Sequence, residues 1–363
     1  MKILVPYYSR SGISIDSPII LGGLEKFAQL LYKHIDGVIP IEFTDEDRKT
    51  RSVTSKVIEA AKKHNVDIIL SNYENATLTT HIQSEVNIPV MWISHSCSGG
   101  IGRLSQIEYM WDFVDRGGIL YMMSENQYNG LNQLSKRVNN GKTITLTGGY
   151  LNSAFCSGLE TPSKEIDYEI ITIGRLNKEK NPFWVHSKLK GSTKHSLVLS
   201  SKVKEFMSHS QLEYYDKNSH WGFPQETIYD LPHKKVMEKL SKSGCYVSTH
   251  PRESWGITAL EALSHGLPTF LITDSTGIHS SEVIPADPSH IQKIHSGIKQ
   301  SEMIELINQF NSYSHDQRLE ISELTKEKHS LNKWKLSIEA AIDKTISLYK
   351  PQTKTFDLSS FLV

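Results

Sequence analysis

Short apolar runs alternate with amphipathic stretches along most of this chain. Residues 2–7 (KILVPY) form an apolar run of strand length, and 22–34 follow with Leu24, Phe27, Leu30 and Leu31 on one helical face. A second helical pattern covers 53–64. Further strand-like runs fall at 66–71 (VDIILS), 88–94 (IPVMWIS), 118–123 (GILYMM) and 143–146 (TITL). Strands that alternate with helices predict a parallel sheet covered on both faces, because parallel neighbours need a crossover. This pattern fills residues 1–150. Periodicity then weakens over 151–168, where Gly158 and Pro162 suit a linker.

A second alternating set occupies 169–330. Its predicted strands begin in the last linker residue, at 168–173, 196–200, 212–214, 244–248 and 269–272, with helices at 232–242 and 256–264. Helical patterns follow at 301–311 and 321–349. The last segment, 331–363, is expected to return as a helix toward the first domain. Two parallel α/β domains in tandem would face a cleft at the carboxyl ends of their strands, where open α/β sheets take ligands. There is no internal repeat.

Composition narrows the function classes. A chain of 363 residues has room for two domains. Lys+Arg and Asp+Glu are 40 each, which argues against a polycation that coats nucleic acid and leaves local basic patches open. The cysteines Cys97, Cys156 and Cys245 are far apart, so a disulfide scaffold or a thiolate metal knot is not expected. The first apolar run is too short for a signal peptide, and no run approaches the ~20 apolar residues of a membrane span. A cytoplasmic protein is expected.

The strongest chemical signal is His250-Pro251-Arg252-Glu253-Ser254-Trp255-Gly256-Ile257-Thr258-Ala259-Leu260-Glu261-Ala262, closed by Gly266-Leu267-Pro268. It reads as a strand, a loop bearing Glu253, and a helix opening near Gly256. A glycine there lets a ligand approach the backbone, and the N–H groups of a helix start can face phosphate or sugar oxygens. Two carboxylates turned to one side can accept hydrogen bonds from two sets of hydroxyls. With its preceding strand, glycines and proline, this segment resembles the E-x7-E motif of retaining GT-B glycosyltransferases of the family-4-like group.

The resemblance extends to other segments. Ile173-Gly174-Arg175-Leu176-Asn177-Lys178-Glu179-Lys180-Asn181 resembles the family's strand followed by G-R-L and a lysine. Gly22-Gly23 resembles its glycine loop near the donor phosphates. His95, after the 88–94 strand, stands where the family often carries a histidine beside the reacting sugar. Met123-Ser124-Glu125 resembles a late strand ending in serine. The segment 273–282 is longer than the family's usual Asp…Gly…Glu stretch, which bears on sugar choice. Asp45-Glu46-Asp47 contains the D-x-D pattern of metal-dependent transferases, but beside Arg48 and Lys49 it reads as a charged surface loop. No zinc-ligand spacing, P-loop or dinucleotide fingerprint is present, so neither metal nor cofactor is expected.

The resemblance implies two Rossmann-like domains and a nucleotide diphosphate sugar, UDP-sugar by preference, as donor. It assigns Glu261 to the ribose hydroxyls, Glu253 to the sugar hydroxyls, and Arg175 and Lys180 to the departing diphosphate. Gly22, Gly23, Gly174, Ser254, Trp255, Gly256 and Ile257 join them in holding the donor. It gives His95 the orientation of the sugar or acceptor. Cations in place of a metal imply metal-independent catalysis. The acceptor side is less marked. Basic clusters at Arg48, Lys49, Arg51, Lys56, Lys62, Lys63 and at Lys136, Arg137, Lys142 lie in a first domain with equal numbers of acids and bases. Modest size, Lys/Ile/Ser/Asn-rich usage and a long 9–21 loop resemble phage-type transferases that decorate hydroxymethylated cytosine in DNA. In that case the enzyme would act in the host cytoplasm, with Lys136 and Arg137 touching the acceptor. A glycan or lipid acceptor, a nucleotide-sugar epimerase and a non-catalytic sugar-nucleotide binder are the other readings. Oligomeric state is left open.

Overall fold

The computed structural model describes residues 1–8, 15–16, 23–50, 52–72, 76–95, 104–123, 125–138, 146–152, 154–177, 180–189, 193–199, 209–218, 226–229, 231–251, 255–273 and 290–350. The chain divides into two compact units. One contains Met1–Ser17, Leu21–Ala154 and Trp334–Val363, and the other is built on Phe155–Lys333.

The first unit runs β1 (Ile3–Tyr8), α1 (Gly23–His34), β2 (Val38–Phe43), α2 (Asp45–Lys49), α3 (Val53–His64), β3 (Ile68–Ser71), α4 (Ala76–Glu85), β4 (Val90–Ser94), α5 (Leu104–Asp115), β5 (Ile119–Met122), α6 (Glu125–Val138) and β6 (Gly149–Tyr150). All pairings are parallel, in the order β2-β1-β3-β4-β5-β6. The central strands are largely apolar on both faces and buried but for Tyr8 at the end of β1, as a doubly covered sheet requires. Leu4, Ile69, Trp92 and Leu120 share one core cluster with Phe113, whose ring meets Trp92 edge to face at 5.5 Å.

The second unit runs β7 (Tyr168–Gly174), α7 (Trp184–Leu189), β8 (His195–Leu199), α8 (His209–Asn218), β9 (Glu226–Tyr229), α9 (His233–Ser241), β10 (Ser243–Ser248), α10 (Ile257–Ser264), β11 (Thr269–Thr273), β12 (Ile291–His295), α11 (Gln300–Asn311) and α12 (His315–Lys328). Its strands are also parallel, in the order β12-β11-β10-β7-β8-β9. Arg318 of α12 is buried and donates from Nη1 to the carbonyls of Ser243 and Gly244, which ties that helix to β10.

A last helix, α13 (Leu331–Leu348), carries the chain back into the first unit from Trp334 onward. Trp334, Ile338, Ala341, Ile342 and Thr345 are buried at helical spacing. Trp334 packs edge-on to Phe27 at 6.1 Å and donates from Nε1 to the carbonyl of Asn152.

Four expectations are corrected. Residues 212–214 are not a strand but lie inside α8, where Leu212, Tyr214 and Tyr215 pack on Leu176, Phe183 and Leu197. The strand in that half is β9, whose ETIY sequence is too short to stand out. Leu146 is outside any strand, 143–145 lie outside the described residues, and the edge strand is β6. The 321–349 pattern is two helices separated at His329–Ser330. Asp45-Glu46-Asp47 is not a loop but the start of α2, closed by a capping box between Thr44 and Asp47.

Candidate functional site

The strand order of the second unit reverses between β7 and β10. From β7 the chain moves outward to β8 and β9, and from β10 it moves the other way to β11 and β12. Loops leaving the carboxyl ends of those two neighbours diverge, and such a switch point is where doubly wound sheets open to ligands. Gly174 ends β7 and Ser248 ends β10.

Beyond β7, Arg175 is exposed and Lys180 is half-buried, with 178–179 outside the described residues. The main chain of this loop is braced. The Lys180 N–H donates to Asn177 Oδ1 at 2.8 Å, and Thr249, just past β10, donates to the Lys180 carbonyl. Asn181 adopts a left-handed φ of 40°, and its Oδ1 accepts from Tyr214 Oη at 2.8 Å. Among the described residues a Cβ built on Gly174 would meet only Lys180 Cβ, at 3.7 Å, so none of them requires a glycine there.

Beyond β10, Glu253 and Ser254 lie outside the described residues. Trp255 is buried, with its ring edge-on to His329 at 5.6 Å. Gly256 precedes α10 with φ 83°, a left-handed conformation in which a side chain would be strained. That conformational demand is a reason for the glycine additional to ligand approach. Among the described residues no side chain caps α10, which opens at Ile257 with the unpaired first-turn N–H groups of any helix start. Glu261 lies further along α10, its side chain 21% exposed, and its Oε1 accepts from His233 Nε2 at 2.7 Å. Arg175, Lys180, Gly256 and Glu261 therefore share one edge of one sheet, cations on the β7 side and carboxylate on the β10 side.

In the first unit, Gly22 lies outside the described residues and Gly23 is the first residue of α1. His95 follows β4, buried, with its ring edge-on to Phe27 at 5.1 Å. Burial lowers its pKa to about 3, so the imidazole is neutral, and Nε2 has no hydrogen-bond partner among the described residues. Such a ring can orient a ligand through a hydrogen bond but carries no charge at neutral pH. Lys136 and Arg137 fall in α6, with their side chains outside what the structure describes. The Asp47 carboxylate is engaged by the Thr44 N–H at 2.8 Å and by Lys56 at 3.0 Å. Among the described residues no group of three or more His, Cys, Asp or Glu could hold a metal, and no helix is long and apolar enough to cross a membrane.

No protein-family model and no curated protein matches the chain. Solved structures do. Sucrose-phosphate synthase from Thermosynechococcus elongatus aligns with a TM-score of 0.72 at 12% identity, over 96% of this chain and 100% of that one. HepE from Anabaena, in complex with UDP-glucose, aligns with a TM-score of 0.70 at 11% identity, over 94% and 99%. A glycosyltransferase from Rickettsia africae ESF-5 aligns with a TM-score of 0.64 at 12% identity, over 97% and 100%.

The fold is GT-B.

In this GT-B chain, the sequence pattern does not assign a part to three groups that meet these residues. His233 is 28 residues from Glu261, and Thr249 and Asn177 brace Lys180 from different segments. Their sequence signals are slight: a histidine after Pro232, a threonine at a strand end, an asparagine in a turn.

Proposed function

We propose that this chain is a retaining glycosyltransferase that takes a sugar from a nucleotide diphosphate sugar, UDP-sugar by preference. The observation that carries the reading is the switch point of the second unit, with Arg175 and Lys180 on one strand end and the Gly256–Glu261 helix on the next. A polyanionic diphosphate suits the first group and a ribose diol suits a carboxylate acceptor. Glu261 holds the ribose, Glu253 the sugar hydroxyls, and Gly22, Gly23, Gly174, Ser254, Trp255, Gly256 and Ile257 complete the donor site. Arg175 and Lys180 stabilise charge on the diphosphate as the C1–O bond breaks, without a metal. The acceptor oxygen bonds to C1 on the face the diphosphate leaves, and its proton goes to the departing phosphate oxygen. Neutral His95 orients the sugar.

For the acceptor we propose the hydroxymethyl group of cytosine in DNA, met by Lys136 and Arg137, with the enzyme in the host cytoplasm. A second reading, a glycan or lipid acceptor, draws on the first unit's own chemistry. Arg48 lies over the Tyr8 ring at 5.0 Å, and Lys56 is paired with Asp47. Both cations are thus partly balanced locally, which suits a neutral acceptor. The test crosses UDP-, GDP- and ADP-sugars with hydroxymethylated DNA, unmodified DNA and glycans, and reads free nucleotide diphosphate and labelled acceptor. Transfer to modified DNA alone supports the first acceptor, and transfer to glycan or lipid alone replaces it. Nucleotide release from no donor overturns the transferase reading.

A further inference from the structure

We infer that His233 is a positioning residue for nucleotide recognition: it fixes the Glu261 carboxylate so that one oxygen is presented to the ribose hydroxyls of the donor. The inference rests on the donor site proposed above. A glutamate side chain has three rotatable bonds, and an unrestrained one presents its oxygens in many directions, so ordering it on ligand binding costs affinity. Here the ordering is built in. A carboxylate only accepts, so the 2.7 Å contact requires a proton on His233 Nε2. That bond holds Oε1 in place and so fixes the direction of Oε2.

The two ends of the bond are themselves fixed. His233 is the first residue of α9, entered through Pro232 at φ −55° and ψ 142°, so its backbone position is set by the proline ring. Val236 and Leu240 of α9 pack in the same core cluster as Ala259 and Ala262 of α10. The apolar faces of the two helices thus lock the distance between His233 and Glu261, and the polar pair sits where the helices emerge. His233 side chain is 35% exposed and Glu261 21%, so the pair is accessible to a ligand yet shielded from full hydration. A hydrogen bond to a charged group in such a place is worth more than one in water. His233 acts through Glu261.

The test is calorimetric titration of the full chain with UDP, GDP and ADP, continued with whichever binds tightest and with its 2′-deoxy and 3′-deoxy forms. Wild type is expected to prefer the ribonucleotide about tenfold or more over the deoxy form that lacks the bonded hydroxyl. His233→Ala is expected to weaken ribonucleotide binding about tenfold, to leave deoxynucleotide binding within about twofold, and so to erase the preference. His233→Gln, whose amide nitrogen can stand where Nε2 stands, is expected to restore most of it. Melting curves of all variants report folding separately. If His233→Ala keeps the full ribose preference while Glu261→Ala loses it, His233 has no positioning role and the donor site stands. If Glu261→Ala binds and discriminates like wild type, or wild type binds none of the nucleotides, the donor site falls and the role of His233 with it.

Discussion

Replacing Gly266 by alanine is expected to cost the second unit roughly 2–4 kcal/mol. Gly266 terminates α10. The Gly266 N–H donates to the Leu263 carbonyl at 2.9 Å and the Leu267 N–H to the Ala262 carbonyl at 3.0 Å, the two bonds of a Schellman motif. Its φ is 74°, and a side chain in that left-handed region costs about 1–2 kcal/mol. The new Cβ would also stand 2.3 Å from the main-chain oxygen of Arg318, in α12. A side chain could swing aside, but a carbonyl in a helix moves only with the helix. Arg318 is anchored on the carbonyls of Ser243 and Gly244, so α12 cannot retreat without straining those bonds. Overpacking of this kind costs about 1–3 kcal/mol, and reduced freedom of the unfolded chain returns about 0.4–1 kcal/mol. At about 2–4 °C per kcal/mol the Tm is expected to fall by roughly 4–16 °C. Gly158→Ala is the control. It has φ 84° but nothing among the described residues within 4 Å of the added Cβ, so it carries the conformational cost alone. Equal losses in the two variants, or a Gly266→Ala protein melting with wild type, would refute the contact argument.

Four further outcomes are expected. Gly174→Ala should fold normally, because among the described residues its Cβ meets only Lys180 Cβ at 3.7 Å, while kcat/KM falls about tenfold as the methyl takes ligand space; unchanged turnover would free Gly174 of any donor role. Arg175→Ala and Lys180→Ala should each lower kcat about a hundredfold, about 3 kcal/mol, with little change in Tm, and near-normal rates would remove the diphosphate assignment. Hydrogen bonding from the Thr44 N–H lowers the Asp47 pKa to about 2, opposed by burial and aided by Lys56 and Ser52. Its stabilisation is full above the ordinary carboxyl range and is lost as pH falls toward 2. Wild type should therefore lose about 1–2 kcal/mol more than Asp47→Asn between pH 5 and 2, measured by urea unfolding, and parallel pH profiles would contradict this. Finally, transfer should proceed fully in EDTA; activity that chelator abolishes and magnesium or manganese restores would overturn the cation assignment.

Much of this architecture was legible in the one-dimensional pattern. The runs at 66–71, 88–94, 118–123 and 269–272 could be read because strands of a doubly covered parallel sheet are continuously apolar, and 22–34 and 53–64 because each helix buries one face. The segment 244–264 could be read as a strand, a break near Gly256 and a short helix because each of these leaves a local signature. What fails locally is anything decided by partners distant in sequence. The LEYY segment at 212–215 has strand-like residues, yet it is helical, since Tyr214 and Leu212 pack on Leu176, Phe183 and Leu197. The demand for glycine at 266 has two parts: its φ follows from the helix end, but the clash with Arg318 exists only once α12 is packed. The pairing of His233 with Glu261 likewise depends on α9 and α10 sharing a core. Spacing along the chain fixes what each element can be; only packing decides which side chains meet, because hydrogen bonds and close contacts act over a few ångströms of space rather than over residues of sequence.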